Sequence, residues 1–286
     1  MHTVKRALND TQYDSGHAHL LMRLRDLVTR NHPLPCMSLR ARNAYVLSAV
    51  RFDTGLLAIP LEGMKRARVS GRDVEARVGS VFLVPSPCSL DVENIPDPVR
   101  GSYISVAIAL EPHVISAAQQ LLRTSISDVK QDATALQIDD CVADLTTWLD
   151  CLESGDRPRA CLAIVGIVLR LYSQGHHGLM YSAPPTLGAR IRAMIAESPA
   201  REWSSAEIEA HLGMSGATLR RHLAAENMSL RDIIAEARLS HALKLLTTTR
   251  LSVKTVAQRV GYASASAFSR RFSERFGVDP SEVNTG

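Results

Sequence analysis

Residues 252–280 read SVKTVAQRVGYASASAFSRRFSERFGVDP and decide the fold of the carboxyl-terminal part of the chain. Ser252 and Ser264 each precede a run with helical periodicity, and a serine in that place can cap the start of a helix. Gly261 separates the two runs and permits a tight turn. A helix, a glycine-containing turn and a second helix together form the helix-turn-helix pattern.

The second of these predicted helices ends at Gly277 and carries three of the protein's five phenylalanines. Phe268, Phe272 and Phe276 are spaced four residues apart, so they share one face of a helix. This spacing is typical of a core stripe rather than of a platform for stacked bases. The other faces carry polar side chains, among them Ser266, Ser269 and Arg270.

A second helix-turn-helix unit is predicted upstream, over about residues 204–226, while the unit just described covers about residues 252–276. Ser204-Ser205-Ala206-Glu207 has the form of a capping box, in which a serine and a glutamate three residues later cap each other's backbone amides. Gly213 permits the turn, and Ser215 can cap the next helix. The inner face of that helix carries Leu219 and Leu223, and its opposite face carries Ala217, Arg220, Arg221 and Ala224.

The residues between the two units, SLRDIIAEARLSHALKLLTTT, predict one long helix with two apolar faces. One face is formed by Leu230, Ile233, Ile234 and Ala237, and a nearly opposite one by Leu239, Leu243 and Leu246. Such a helix can pack on two neighbours. Residues 230–246 would span ~25 Å. With the flanking turns, this length brings the two recognition helices near the ~34 Å repeat of successive major-groove faces.

The net charge of +4 lies entirely in the last hundred residues, because residues 186–286 hold 14 Lys and Arg against 10 Asp and Glu. A basic domain favours a polyanionic partner. The length of 286 residues indicates about two domains, and 45% apolar residues suffice for ordinary cores. No run of ~18 uncharged apolar residues predicts a membrane span, and the amino terminus lacks the apolar segment of a secretory signal. We therefore expect a cytoplasmic protein without membrane association, held at the nucleoid when bound to DNA.

The amino-terminal half has a different pattern. Residues 1–34 are expected to form an arm with one helix. Residues 35–111 contain short β-rich segments punctuated by Gly, Pro or Asp, which are typical of a cupin-like β-barrel. Residues 112–182 become helical and are expected either to form a dimerisation segment or to pack only on the barrel. The adjacent Pro184 and Pro185 predict a linker.

The barrel region lacks the residues of a metal site. No histidine lies between Cys36 and Leu110, and the five scattered cysteines form no CxxC pair. We therefore expect no metal, no cofactor and no disulfide framework. A jelly roll of this kind can enclose an organic ligand or only side chains.

Residues 256–280 resemble the signature of the AraC/XylS family of bacterial transcription regulators. The signature opens with Val256-Ala257-Gln258-Arg259-Val260-Gly261-Tyr262, and the residues that then fall at the family's spacing are Ser266, Phe268, Arg270, Phe272, Phe276, Gly277 and Pro280. Residues that fit the family's linker helix are Ser229, Leu230, Ile233, Ile234, Arg238, Leu239, Ala242, Leu245 and Leu246. The match covers about residues 187–283. The family often continues after this proline with an aromatic residue and an arginine, whereas Pro280 is followed here by SEVNTG.

The resemblance implies roles for individual residues and partners for the protein. The implied base-contacting positions are Ala217, Arg220, Arg221, Ser266, Ser269 and Arg270. The implied phosphate-contacting positions are Ser204, Ser215, Thr218, Ser252, Lys254 and Ser264. Arginine can pair with two acceptors of guanine, whereas alanine can only touch a thymine methyl group. The implied partners are double-stranded DNA, RNA polymerase, a second copy of the chain and possible small-molecule effectors.

The sequence therefore predicts an α+β protein. It has an N-terminal cupin-like β-barrel with a helical dimerisation segment, and a C-terminal all-α domain, residues 187–286, in which a linker helix joins two helix-turn-helix units. The predicted function is a sequence-specific transcriptional regulator, an activator by resemblance, that senses an effector, dimerises or both. One alternative is a constitutive regulator whose barrel is only structural. The other is a metal-free cupin-like enzyme with a regulatory DNA-binding tail, although no catalytic pattern is visible and we expect no enzyme.

Overall fold

The computed structural model describes residues 16–28, 37–122, 132–180 and 186–283. The chain divides into two compact units: the first comprises Met1–Ala44 and Ala49–Ser182, and the second comprises Ala183–Gly286 together with the short segment Tyr45–Ser48. The predicted linker at Pro184 and Pro185, like most of the predicted arm, lies outside the described residues.

The described part of the first unit is built on nine strands. Their bounds are β1 Met37–Ala41, β2 Tyr45–Phe52, β3 Gly55–Glu62, β4 Met64–Val69, β5 Arg72–Arg77, β6 Ser80–Val84, β7 Cys88–Ile95, β8 Tyr103–Leu110 and β9 Thr134–Gln137. One sheet has the order β1-β8-β3-β6-β9 and the other the order β2-β7-β4-β5. The β4–β5 hairpin turns at Ser70 and Gly71, both with positive φ (49° and 80°), as a tight two-residue turn requires.

These strands do not form the closed barrel that the sequence predicts. Within the described residues, hydrogen-bonded neighbours stay within a five-stranded or a four-stranded sheet, so the architecture is two separate sheets. Every residue of β3 is buried, because this central strand is covered on both faces. Short β-rich segments predict strands well, but a closed barrel and an open pair of sheets have the same alternation.

Helices cover the outer face of the five-stranded sheet. They are α1 (residues 16–28), α2 Pro112–Leu122, α3 Val142–Glu153 and α4 Arg157–Ser173, with short 3-10 helices at Ile138–Cys141 and His177–Met180. Leu20 and Leu24 of α1 share one apolar core with Leu57 of β3 and Val168 of α4. The helix of the expected arm is therefore part of the core of the first unit.

Strand β9 corrects the expectation that residues 112–182 are helical throughout. It pairs with β6, where Val81 lies opposite Leu136, and so completes the edge of the five-stranded sheet. The four residues TALQ are too short to give a periodic signal, and the pairing partner lies more than fifty residues away in the chain. Sequence periodicity reports local structure and does not reveal such a distant partner.

A separate apolar core lies between the two sheets. It contains Leu56 and Ala58 of β3, Ala67 of β4, Phe82 of β6 and Ala107 of β8, with six further buried residues. Alternation along each strand sends one set of side chains to this core and the other set outward.

The second unit is helical apart from Tyr45–Ser48, which belong to β2. Its helices are α5 Leu187–Glu197, α6 Ser205–Leu212, α7 Gly216–Ala225, α8 Leu230–Thr248, α9 Val253–Arg259, α10 Ala265–Phe276 and α11 Pro280–Val283. The long helix α8 buries Ile233 and Ala237 in a core with α5, α6 and α7. It also buries Leu239, Ala242 and Leu246, which confirms its two apolar faces. An all-α domain with two helix-turn-helix units joined by one helix is thus confirmed.

Candidate nucleic-acid interface

The first helix-turn-helix unit consists of α6 and α7. Ser204 and Glu207 form the predicted capping box: the Ser204 hydroxyl accepts from the Glu207 amide at 3.2 Å, and a Glu207 carboxylate oxygen accepts from the Ser204 amide at 2.9 Å. Gly213 ends α6 in the left-handed conformation, with φ 64°. Ser215 then caps α7 by accepting from the Thr218 amide at 3.3 Å. These caps and the glycine fix the angle between the helices.

Helix α7 presents a basic and largely exposed outer face. Leu219 and Leu223 are buried against the core of the unit. Ala217, Arg220 and Arg221 are exposed, on the side of the helix that these leucines do not occupy. Neither arginine has a carboxylate within 4.0 Å among the residues that the structure describes. Both guanidinium groups therefore keep their donors for an outside acceptor.

The second helix-turn-helix unit, formed by α9 and α10, repeats this arrangement. Ser252 and Ser264 cap the two helices, Gly261 makes the turn with φ 81°, and Gly277 ends α10 in the left-handed conformation. The three phenylalanines of α10 are fully buried. Their ring centroids lie 5.6 Å (Phe268 to Phe272) and 4.8 Å (Phe272 to Phe276) apart, which confirms a packed stripe.

The outer face of α10 carries both signs of charge. Ser266 is exposed, Ser269 is partly buried, and the Arg270 side chain is 72% exposed. Glu274 lies one turn further along, 3.9 Å from Arg270 Nε and 3.8 Å from Arg271 Nη1. The sequence reasoning missed Arg271 and Glu274, although the four-residue spacing of Arg270 and Glu274 is a signal for such a pair.

The capping hydroxyls are already engaged within the protein. Besides the cap bonds, Ser215 Oγ lies 3.0 Å from Thr218 Oγ1, and Ser252 Oγ lies 2.9 Å from Thr255 Oγ1. Ser264 Oγ lies 2.7 Å from Ser266 Oγ. Lys254, next to the cap of α9, is exposed. The hydroxyls of the predicted phosphate-contacting serines therefore form hydrogen bonds within the protein that stabilise the first turns of these helices.

The starts of α6 and α7 are electrostatically different from the start of α10. Hydrogen bonds from the Ser204 backbone amide, Arg201 and the Ser204 hydroxyl lower the pKa of the partly exposed Glu207 to about 2. This carboxylate is therefore ionised at neutral pH, beside Ser204. The first turns of α7 and α10 contain no acidic residue. The Glu209 carboxylate of α6, however, lies against Gly216 at the start of α7. A phosphate would therefore meet like charge at α6 and α7 and a favourable helix dipole at α10.

Arg238 of α8 connects the two helix-turn-helix units. Its guanidinium donates to the carbonyl oxygens of Pro199 and Arg201, both at 2.9 Å, and of Gly261 at 3.4 Å. The first two acceptors precede α6, and the third lies in the turn between α9 and α10. One side chain therefore ties both units to the linker helix.

A bidentate ion pair holds α10 to α8. Arg275 Nε and Nη2 donate to the two carboxylate oxygens of Glu236 at 2.5 and 2.7 Å, and both side chains are mostly buried. Such two-bond pairs fix orientation as well as distance. The pair sets the rotation of α10 about its axis, and with it the direction of Ser266 and Arg270.

Helix α5 was not predicted as a separate element. Ile191 and Ile195 pack into the core of the first helix-turn-helix unit. Glu226, at the end of α7, accepts from the amides of Leu187 (3.0 Å) and Gly188 (3.2 Å) and so caps the start of α5. The signal in the sequence was the apolar spacing of LGARIRAMIAE, residues 187–197.

Comparison with known proteins identifies this class of domain. A family model described as a helix-turn-helix domain matches residues 208–285. The virulence regulon transcriptional activator VirF of Shigella flexneri is 29% identical over 91 residues, 32% of this chain and 35% of that protein. The transcriptional regulator GadX of Escherichia coli K12 is 30% identical over 123 residues, 42% of this chain and 45% of that protein. Both relatives are matched over less than half of their length.

The second unit thus contains a helix-turn-helix domain similar to those of transcriptional regulators. These matches support the resemblance to the AraC/XylS family that the signature in α9 and α10 carries. Both curated relatives are transcriptional regulators, which points away from an enzyme.

The fold of the whole chain is similar to that of ToxT from Vibrio cholerae. A ligand-free single-residue variant of ToxT superimposes with a TM-score of 0.63 at 16% identity, over 88% of this chain and 98% of that one. ToxT with a bound unsaturated fatty acid gives 0.62 at 17% identity, over 88% and 95%. This likeness confirms the coarse prediction of a β-rich N-terminal and a helical C-terminal domain.

The described parts of the chain carry neither a metal-binding cluster nor a membrane-spanning helix. No three His, Cys, Asp or Glu side chains there are grouped so that they could hold a metal ion. None of the described helices has both the length and the apolar character needed to cross a membrane.

Proposed function

We propose that the whole protein is a sequence-specific, cytoplasmic transcriptional regulator that binds double-stranded DNA through α7 and α10, each placed in a major groove. The observation that carries this proposal is the doubled arrangement of a buried apolar stripe opposite an exposed basic face. Arg220 and Arg221 supply the donors on α7, and Arg270 supplies them on α10. Arginine pairs with the O6 and N7 acceptors of guanine, so each helix can discriminate bases.

The other candidate DNA-contacting residues differ in the group of the DNA that each can contact. Ala217 offers a methyl-sized surface that suits contact with a thymine, and the hydroxyls of Ser266 and Ser269 can reach either bases or phosphates. A phosphate is expected above all at the start of α10, near Ser264, where the first turn contains no acidic residue. The start of α7, near Ser215 and Thr218, is a weaker candidate because the Glu209 carboxylate of α6 lies against Gly216. Lys254, near Ser252, adds positive charge at α9. Ser204 is the least suitable phosphate position, because Glu207 is ionised beside it.

Selection of bound fragments from random duplex DNA tests this function. The full-length protein should enrich a motif with two conserved blocks one helical turn, ~10.5 base pairs, apart. Binding should weaken steeply with salt, since phosphate contacts release counterions. Enrichment of no motif, with equal affinity for all duplexes, would contradict sequence-specific regulation.

The first unit is proposed to sense a small-molecule effector. The support is the fold shared with ToxT, which has been crystallised with an unsaturated fatty acid and with an arylbutenoic acid. The competing proposal is a constitutive regulator whose β-domain, cupin-like in its strand pattern, is only structural. A ligand that binds the folded state raises the melting temperature with concentration. A thermal-shift screen of organic acids that finds no such compound favours the constitutive regulator.

Helices α3 and α4 are proposed to form the seam of a homodimer. Leu162 of α4 is 65% exposed, and the partly buried Gly166 and Leu169 continue the same face. An apolar stripe of this kind is typical of a surface that a second helix covers. Sedimentation of wild type and Leu162→Glu tests the seam: a dimer that becomes monomeric supports it, and an unchanged state contradicts it.

Activation through RNA polymerase completes the proposal. The support is the resemblance of the second unit to family members that include an activator, VirF. Transcription in vitro from a promoter that carries the selected motif should increase when the protein is added. A decrease would identify a repressor instead.

A further inference from the structure

Glu209 of α6 places a carboxylate directly against the first residue of α7, Gly216. A Cβ built on Gly216 would lie 2.5 Å from Glu209 Oε1 and 3.0 Å from Glu209 Cδ, which is closer than a real Cβ comes to another atom. The carboxylate can therefore lie there only because residue 216 has no side chain. The Ser205 hydroxyl donates to the same Oε1 at 2.6 Å and holds the Glu209 side chain in this position.

The second helix-turn-helix unit carries alanine at both equivalent positions. The first helices of the two units align without a gap, because the distance in sequence from serine cap to turn glycine is the same in both. In this alignment Glu209 corresponds to Ala257. Gly216 corresponds to Ala265, since each follows the serine that caps its recognition helix. Compared with this alanine pair, the first helix-turn-helix unit is larger at one position and smaller at the other. The two differences compensate in volume, which indicates that the carboxylate is built into the junction of α6 and α7.

The first helices of the two units also differ in charge. Helix α6 contains Glu207 and Glu209 and no lysine or arginine, whereas α9 contains Lys254 and Arg259 and no acidic residue. Both cations of α9 are exposed. The first helix of a helix-turn-helix unit crosses the DNA backbone, so α9 offers cations to the phosphates and α6 offers carboxylates. The second helix-turn-helix unit is therefore better suited than the first to hold the DNA backbone.

A carboxylate at the start of α7 changes what this helix can bind. The dipole at the start of a helix favours an anion, and Glu209 supplies that anion from within the protein. A DNA phosphate brought to the same place would meet a like charge. Arg220 and Arg221 lie further along α7 and are exposed, so they can still reach base edges in the major groove. Helix α7 thus keeps its base-contacting side chains without a phosphate contact at its start.

We propose that Glu209 excludes a DNA phosphate from the start of α7, so that the two helix-turn-helix units have different parts in binding. The second unit of the pair anchors the protein on the DNA backbone through α9 and α10. The first adds affinity only where Arg220 and Arg221 find matching bases. This inference rests on the proposed DNA-binding function, and it names the residue that makes the two units unequal.

The test is the salt dependence of DNA binding by the full-length protein, measured by fluorescence anisotropy on the duplex that the protein selects. Glu209→Gln keeps the shape of the side chain and removes its charge. Each additional phosphate contact makes the slope of log Kobs against log salt concentration steeper by ~0.9. Glu209→Gln should therefore bind severalfold more tightly at low salt, with a slope steeper by this amount. Glu282→Gln is the matched control, because it removes one exposed carboxylate of α11 and should leave the slope unchanged.

A double variant tests the same proposal by a different route. Glu209→Ala combined with Gly216→Ala installs the alanine pair of the second helix-turn-helix unit and should show the same steeper slope. In ethylation interference, which maps the contacted phosphates, both variants should gain one phosphate beside the base block that Arg220 and Arg221 contact. Wild type should not contact that phosphate.

Three results would overturn the proposal. The first is a Glu209→Gln protein whose salt slope equals that of Glu282→Gln, and the second is a wild-type protein that already contacts the phosphate beside the α7 block. Either result, with a motif selected as expected, overturns this inference alone and leaves the proposed function intact. The third is a wild-type protein that selects no motif, which overturns the proposed function and this inference with it.

Discussion

Arg238 of the linker helix lies directly against Gly261 in the turn of the second helix-turn-helix unit. Its Nη1 donates to the Gly261 carbonyl oxygen at 3.4 Å, and a Cβ added at Gly261 would come within 3.0 Å of Arg238 Cζ. The same guanidinium binds the carbonyl oxygens of Pro199 and Arg201. The close approach of these two residues therefore helps to fix one helix-turn-helix unit relative to the other.

Gly261→Ala should destabilise the second helix-turn-helix unit and weaken DNA binding. The substitution places a side chain at a positive φ of 81° and also displaces Arg238. Gly213→Ala is the matched control, because φ there is also positive at 64° but nothing lies within 4 Å of the new Cβ. The control should lose about 1–2 kcal/mol of unfolding free energy from backbone strain alone. Urea denaturation should give a larger loss for Gly261→Ala; equal losses would show that the contact with Arg238 has no role.

The Arg275–Glu236 pair should show strong coupling in a double-mutant cycle. Both side chains are mostly buried and share two hydrogen bonds, so Glu236→Gln, Arg275→Met and the double variant should give a coupling of about 1–3 kcal/mol. The more exposed pair Arg170–Asp144, with a bond at 2.8 Å, is the control and should give less than about 1 kcal/mol. Additive losses at Arg275 and Glu236 would mean that the pair does not orient α10.

Glu274→Gln should raise the affinity for DNA. The Glu274 carboxylate lies within 4 Å of both the Arg270 and the Arg271 guanidinium groups on α10, so it attracts them and repels phosphates. Gel shifts at fixed salt should show severalfold tighter binding to non-specific duplexes. Glu282→Gln on α11 removes one exposed carboxylate elsewhere in the same unit and should change affinity less. If the two variants behave alike, only net charge matters and Glu274 has no particular role on α10.

The stability effect of Lys65 should depend on pH. In the folded protein the pKa of Lys65 is lowered by burial to about 7, whereas in the unfolded chain it keeps the ordinary value of about 10.5. Between these two pH values the unfolded chain therefore holds the proton more tightly than the folded protein does. Stability therefore rises with pH between these values, and the cost of the buried ammonium is fully present below pH 7. Tyr103 is the titratable side chain that faces Lys65 from the other sheet.

Lys65→Met removes this cost, so its gain in unfolding free energy over wild type should be larger at pH 6 than at pH 9.5. Chemical denaturation at the two values measures the difference. Arg68→Met, whose guanidinium does not titrate in this range, should show no such trend. A gain for Lys65→Met that stays constant with pH would mean that Lys65 keeps its charge throughout.

The sequence was most informative where local signals repeat. The serine caps at 204, 215, 252 and 264, the turns at Gly213 and Gly261, and the phenylalanine stripe are each set by neighbours within a few residues. These signals predicted the helix-turn-helix units and the outward direction of Arg220, Arg221 and Arg270. Resemblance to a family with the same spacing added the functional interpretation.

The rest depends on contacts between residues far apart in the chain. The pairing of β9 with β6, the separation of the strands into two sheets and the contacts of Arg238 have no signature in local periodicity. No local signal marks Lys65 as buried, because its neighbours Arg66 and Arg68 are charged and exposed or partly exposed. Only the alternation of side chains along β4, which places Lys65 on the same face as Ala67 and Val69 of the inter-sheet core, shows that it points inward.

The most direct test of the central claim is a base-resolved interference footprint of the full-length protein on its selected DNA. The account predicts two blocks of guanine contacts in the major groove, ~10.5 base pairs apart on one face of the duplex. Arg220→Ala with Arg221→Ala should abolish one block and Arg270→Ala should weaken the other, each independently. A single block, or two blocks that respond alike to either change, would contradict the reading of DNA by two separate helices of one chain.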